Sequence, residues 1–177
     1  MMKSAKIKKA AIFAANAHTG QIRKYTGQPY IVHPAEVAKL VSMVTDDEDM
    51  VCASFLHDVV EDTNCTIEQI ADLFGDKVAY LVAGLTDISK PEDGNRNTRK
   101  QIDREHTASG SPEIHTIKLA DLISNTKSIV EHDPDFAVVY LKEKELLLQV
   151  LTRGSAILYG LAADSLIQGK LALAERV

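Results

Sequence analysis

The run Val51-Cys52-Ala53-Ser54-Phe55-Leu56-His57-Asp58-Val59-Val60-Glu61-Asp62 begins like a buried helix and then admits four ionisable side chains without losing its apolar spacing. At about 100° per residue, His57, Asp58, Glu61 and Asp62 fall within an arc of roughly 140°, with Phe55, Leu56, Val59 and Val60 opposite. One face reads as core and the other as polar. A solvated charged stripe is the ordinary explanation of such a pattern. Residues 53–56, however, have the composition of a buried helix, and carboxylates at its end without partners would each cost several kcal/mol. A divalent cation removes the conflict, because His and Asp supply adjacent nitrogen and oxygen ligands and the ion neutralises the acids.

Further ligands for such an ion have to come from elsewhere in the chain, and two segments offer them. His33 lies in Pro29-Tyr30-Ile31-Val32-His33-Pro34, where the following proline suits the first turn of a helix and holds the imidazole at the helix mouth. Asp121 is a lone acid in the apolar stretch Ile117-Lys118-Leu119-Ala120-Asp121-Leu122-Ile123. Either residue alone has an ordinary reading, His33 as a capping group and Asp121 as part of an exposed stripe. Their combination with the His-Asp pair makes them candidate ligands.

Around these segments, apolar residues recur at helical spacing and the alternation of a sheet is scarce, so the expected fold is all-α, a single-domain bundle of about eight or more helices. Helices are expected at about 4–19, 34–44, 49–60, 66–75, 76–85, 97–108, 112–130, 135–154 and 156–168. Thr66 is the expected N-cap and Gly75 the stop of one of them, and the acids at 46–49 suit a helix N-terminus. Residues 87–97, polar and broken by Pro91 and Gly94, are expected to form a mobile loop between two halves of one core. The whole of 1–177 is taken as one domain.

Composition narrows the function. The chain is 45% hydrophobic, 25% charged and 5% aromatic, and no apolar run approaches the roughly 18 residues of a membrane span. The lysine-rich start runs straight into an amphipathic segment without the features of a secretory signal, so a cytoplasmic location is expected. A formal charge of −5 argues against a general grip on nucleic acid, though it leaves room for a small phosphorylated ligand. Cys52 and Cys65 have no metal-type spacing and read as reduced and structural.

The pattern H…HD…D made by His33, His57-Asp58 and Asp121 resembles that of the HD superfamily of metal-dependent phosphohydrolases. A closer resemblance runs through His18-x-Gly-Gln-x-Arg-Lys, Gly-x-Pro-Tyr-Ile-x-His-Pro, Phe-Leu-His-Asp-Val-Val-Glu-Asp-Thr, Leu-Thr-Asp and Lys-Leu-Ala-Asp…Asn, in that order, over about residues 5–130. These segments look like the hydrolase domain of RelA/SpoT-type proteins. The resemblance implies an HD-type helical bundle that removes the 3′-diphosphate of guanosine 3′,5′-bis(diphosphate), ppGpp, giving GDP and pyrophosphate. Because 177 residues leave no room for the family's synthetase and regulatory domains, a stand-alone hydrolase like the small alarmone hydrolases and metazoan SpoT homologues is expected.

By the same resemblance, His33, His57, Asp58 and Asp121 hold one Mn²⁺, and a bound ion of that kind can bring the pKa of water to about 7. Glu61 and Asp62 match the family's acidic pair and are the candidate catalytic groups, able to orient water, take its proton or return one to the leaving group. Arg23 and Lys24 match the pair used around the nucleotide, a guanidinium suited to stacking on a purine and an ammonium to reaching phosphate. Asn125, one turn past Asp121, matches a position near the nucleotide sugar. Arg99 and Lys100 are candidates to clamp the diphosphate, and Tyr140, Lys142 and Lys144 to contact base and phosphate. His18 is assigned to shaping the nucleotide loop, and His106, His115 and His132 to structural or exposed roles.

The resemblance weakens after Val130, so metal chemistry is better supported than the choice of nucleotide. Two other readings share the metal pattern or the fold. One is a different HD nucleotide phosphohydrolase, such as an NADPH 2′-phosphatase or a nucleoside monophosphatase. The other is a non-catalytic nucleotide sensor, against which the intact set of six acidic and imidazole residues speaks.

Overall fold

The structure, a computed structural model, describes residues 4–176; residues 1–3 and 177 of the expected domain lie outside it. Apart from an isolated antiparallel bridge between Ile22 and Pro29, the regular elements among the described residues are helical, as expected for an all-α HD-type bundle. The chain divides into two compact units, residues 1–86 and 87–177.

The first unit holds α1 (Ala5–Ala17), α2 (Val32–Val41), α3 (Glu48–Leu56), α4 (Val59–Asp62), α5 (Ile67–Phe74) and α6 (Asp76–Leu85). Helix α3 is its axis, packed against α1, α2 and α6 and buried from Met50 through Leu56. That burial explains why this helix carries no polar face along its length. Local chemistry fixes its neighbours. The Asp47 carboxylate caps α3 by accepting from the Asp49 and Met50 amides. Thr66 and Gln69 form a reciprocal capping box at the start of α5. Gly75, at φ 92°, lets the chain turn directly from α5 into α6, a conformation that costs other residues far more.

Two expected boundaries in this unit are corrected. The helix expected over 49–60 is broken at His57 and Asp58, with α3 ending at Leu56 and α4 starting at Val59. Nδ1 of His57 donates to the Ser54 carbonyl at 2.9 Å, the group that a continuing helix would offer to the Asp58 amide. The apolar spacing passes through this break unchanged, which is why spacing alone suggests one helix. Helix α2 starts at Val32 and ends at Val41, so His33 lies inside its first turn, and Pro34, where the amide has no helical acceptor, continues it.

The second unit holds α7 (Arg96–Ser109), α8 (Pro112–His132), α9 (Pro134–Leu148) and α10 (Ala156–Ala174), with a short 3₁₀ turn at Pro91–Asp93. Helix α8 is buried along much of its length and packs on α9 and α10. The expected helix over 135–154 stops at Leu148, and the one expected to end near 168 continues to Ala174. The intervening turn brings Gly154 so close to α8 that a Cβ there would lie 2.8 Å from Leu119 Cδ1 and 3.0 Å from the Thr116 amide. The segment after α6, expected to be mobile, is tied down where it begins. Buried Asp103 accepts hydrogen bonds from the Ile88 and Ser89 amides at 3.0 and 2.9 Å and from the Ser89 hydroxyl at 2.9 Å.

Candidate functional site

In the first unit the break between α3 and α4 and the first turn of α2 bring three of the expected metal ligands together. One ligand atom each from His33, His57 and Asp58 lies within 4.8 Å of the other two. Asp58 Oδ2 is 3.1 Å from His57 Nε2 and 3.5 Å from His33 Nε2, and the imidazole centroids are 5.1 Å apart. Ligand bonds of about 2.1 Å at right angles place neighbouring donors about 3 Å apart, so the spacing suits a divalent ion. Both histidines are 2% exposed, which shields the group from bulk water.

The tautomer of His57 strengthens the fit. A carbonyl can only accept, so the Ser54 oxygen fixes the proton on Nδ1 and turns the Nε2 lone pair toward Asp58. A lone pair facing a carboxylate oxygen at 3.1 Å is repulsive unless a cation or a second ring proton lies between them. The donor set, two imidazoles and one carboxylate, is one that binds divalent metals.

Asp58 is oriented from outside the group by the Tyr30 hydroxyl, which donates to Oδ2 at 2.6 Å. Asp62 and Glu61, on the short α4, are exposed, and Asp62 lines a shallow pocket with Gln21, Thr63 and Gln69. Partial desolvation, and then the nearby Asp58 charge, push the Asp62 carboxyl above its usual range, against an opposing hydrogen bond with Tyr30. In the loop before α2, Arg23 Nη1 is 3.6 Å from Glu36, and Lys24 lies over the Tyr25 ring, 4.7 Å from its centroid. His18 is buried against Tyr30, with ring centroids 4.7 Å apart.

The remaining expected site residues belong to the second unit. Asp121 is buried on α8, where Asn125 Nδ2 donates to Oδ1 at 2.7 Å and Lys118 Nζ is 3.4 Å from Oδ2. The three residues are one turn apart, so the helix itself presents them as a group. Lys100 pairs with Asp87 at 2.7 Å and approaches Asp103 at 3.6 Å. Burial raises the Asp87 carboxyl, but the Lys118 charge and the Lys100 hydrogen bond outweigh it and hold the group below its usual value. Burial pushes the Lys144 ammonium down, against the attraction of Asp121.

Arg99 is half-buried, and its Nε has no hydrogen-bond partner among the described residues. Tyr140 is 5% exposed, with its hydroxyl 3.3 Å from Thr126 Oγ1 and the Lys144 ammonium over its ring. Lys142 is exposed. His115 is buried at the α7–α8 turn, its Nε2 3.1 Å from the Thr107 carbonyl, while His106 is half-buried and His132 exposed.

Tyr30, Gln21, Lys118 and Asp87 lie in the segments that carry the family resemblance, but no role could be read for any of them from the sequence alone. Lys118 had a signal in its spacing of three residues from Asp121. Tyr30 had its place in the Gly-x-Pro-Tyr-Ile-x-His-Pro segment, three residues before His33.

The HD domain family matches residues 10–147. A GTP pyrophosphokinase of Myxococcus xanthus is 38% identical over 132 residues, covering 70% of this chain and 17% of the relative. A probable guanosine-3′,5′-bis(diphosphate) 3′-pyrophosphohydrolase of Synechocystis is 41% identical over 133 residues, covering 72% and 17%. The chain thus spans 17% of the length of these two relatives. Among solved structures, a metazoan orthologue of SpoT that hydrolyses ppGpp superposes with a TM-score of 0.86 at 28% identity, over 95% of this chain and 97% of that one. The match from residue 10 to residue 147 encloses His33, the paired His57 and Asp58, and Asp121, and the chain belongs to the HD domain family.

Proposed function

We propose that the chain is a metal-dependent phosphohydrolase that cleaves the 3′-diphosphate from ppGpp, giving GDP and pyrophosphate. The observation that carries this reading is the convergence of His33, His57 and Asp58 within 4.8 Å in a shielded, correctly spaced donor set. The substrate is supported by the near-complete superposition on a protein of matching length that hydrolyses ppGpp. On the sequence pattern, Asp121 is the proposed fourth ligand, Mn²⁺ the proposed ion, and 1–177 a single functional domain, since the family match runs through both compact units.

A divalent ion held by these residues supplies Lewis-acid charge and makes water acidic enough to serve as a nucleophile at neutral pH. The side chains do the rest. Water attacks the phosphorus attached to the 3′-oxygen, and the bond from that phosphorus to the 3′-oxygen breaks. Glu61 and Asp62, beside the ligands on α4, are the proposed groups that take the proton from water and return one to the leaving 3′-oxygen. Arg23, Lys24, Arg99, Lys100 and Asn125 are proposed to bind the nucleotide. Tyr140, with Lys144 over one face of its ring, is the further candidate for a contact to the nucleotide.

With Mn²⁺ present, the purified chain is expected to release pyrophosphate from ppGpp, and chelation with EDTA to stop the release. No release from ppGpp alongside rapid attack on NADPH or a nucleoside monophosphate would reject this substrate and leave the metal chemistry standing.

A further inference from the structure

We propose that Tyr30 is a positioning residue that holds the carboxylates of Asp58 and Asp62 in working orientation, with the loop between α1 and α2 as its frame. This rests on the phosphohydrolase reading above and adds to it a residue that neither binds the ion nor reacts. The Tyr30 hydroxyl donates to Asp58 Oδ2 at 2.6 Å, the same oxygen that faces both imidazoles. It also hydrogen-bonds the Asp62 side chain. A phenol has one proton, so it donates to one ionised carboxylate at a time, and the two acids share this donor in turn. One side chain from outside α4 thereby couples the first acid of the His-Asp pair to the second acid of the Glu-Asp pair.

The phenol is itself held from several sides. His18 lies against its ring, and Nδ1 of His18 donates to Gln21 Oε1 at 2.8 Å. The Gln21 amide nitrogen donates to the Asp62 carbonyl at 3.0 Å, and the Tyr30 amide donates to the Gln21 carbonyl at 3.0 Å. The loop is closed between these anchors by the Ile22–Pro29 bridge. It therefore docks on the backbone of Asp62 through Gln21 and on the side chain of Asp58 through Tyr30. The His33 amide donates to the Tyr30 carbonyl at 3.0 Å, so the segment that brings the phenol also brings an imidazole to the same oxygen. Partners that orient a ligand in this way are typically worth about 10–100-fold in metal affinity or activity.

Mn²⁺ titration followed by electron paramagnetic resonance, paired with steady-state kinetics, tests the idea on Tyr30→Phe and Gln21→Ala. Phenylalanine keeps the ring against His18, so the metal-free variant is expected to melt where the wild type does. Its Mn²⁺ affinity should fall by about 10–100-fold. At saturating Mn²⁺ its kcat should fall while KM for the nucleotide stays, a split that loss of packing would not give. Gln21→Ala, which frees the loop from Asp62 and releases His18 while leaving the phenol in place, should weaken Mn²⁺ in the same direction by a smaller factor. Wild-type affinity and kcat in Tyr30→Phe would overturn the proposal. If that variant does not fold, unchanged affinity in Gln21→Ala would do the same. A wild-type chain that binds no Mn²⁺ would overturn the metal centre and, with it, the role of Tyr30.

Discussion

Asp58 carries more of the site than any other side chain, because its Oδ2 meets two imidazoles and a phenol at once. Removing it takes away both a ligand and the counter-charge. Asp58→Ala is therefore expected to lose Mn²⁺ binding and turnover together, measured by metal content after dialysis and by pyrophosphate release. Glu61→Ala should keep the ion and slow turnover by about 10²–10⁴-fold, the usual worth of a general acid or base. Full metal content and turnover in Asp58→Ala would show the ligand assignment to be wrong. His33, His57 and Asp58 were legible in the sequence, since an imidazole or carboxylate in an apolar run needs a partner that the run does not supply. Tyr30 was not, because an aromatic residue in a loop suits many surroundings and its hydroxyl partner is 28 residues away. Lys118 and Asp87 were hidden for a related reason: charged residues on helices and loops usually face water, and only the fold brings these near each other's fields.

Helix ends followed their local chemistry, and the errors lie where that chemistry is tertiary. Thr66 and Gly75 delimit α5 as the sequence suggests, through a capping box and a positive φ. Thr66→Ala should cost about 1 kcal/mol in urea unfolding, whereas Thr66→Ser should cost much less. The break at His57 and Asp58 was illegible because a side chain, not a helix breaker, takes the carbonyl of Ser54. The early end of α9 has its physical counterpart in Gly154, which gives α8 room to approach the turn before α10. Gly154→Ala should destabilise the protein by about 1–3 kcal/mol, because its Cβ would meet the Leu119 side chain and backbone of α8. An unchanged urea midpoint for that variant would mean that the two segments can separate at no cost.

The all-α character and the family pattern span both compact units, and both could be read from apolar spacing and the order of motifs. The division at residue 87 falls at the start of the polar stretch expected to separate two halves of one core, because Pro91, Gly94 and the run of polar residues interrupt the apolar spacing there. Asp87 gives this region a pH dependence. Its carboxyl is held below the unfolded value of 3.8, so the stabilisation is present above that value and is lost as pH falls through the lowered one. Asp87→Asn should flatten the acid limb of the stability curve below about pH 4 and leave its shape at neutral pH unchanged. An acid limb as steep as that of the wild type would contradict this. Metal should stabilise the whole chain by about 2.7 kcal/mol at a hundredfold excess over its dissociation constant, seen as a higher melting temperature that EDTA reverses. The most direct test is anomalous diffraction at the manganese edge from crystals grown with Mn²⁺. One peak bonded to the His33 and His57 imidazoles and the Asp58 carboxylate is the expected result, and a crystal with no peak there, or with its only peak at other residues, would contradict it.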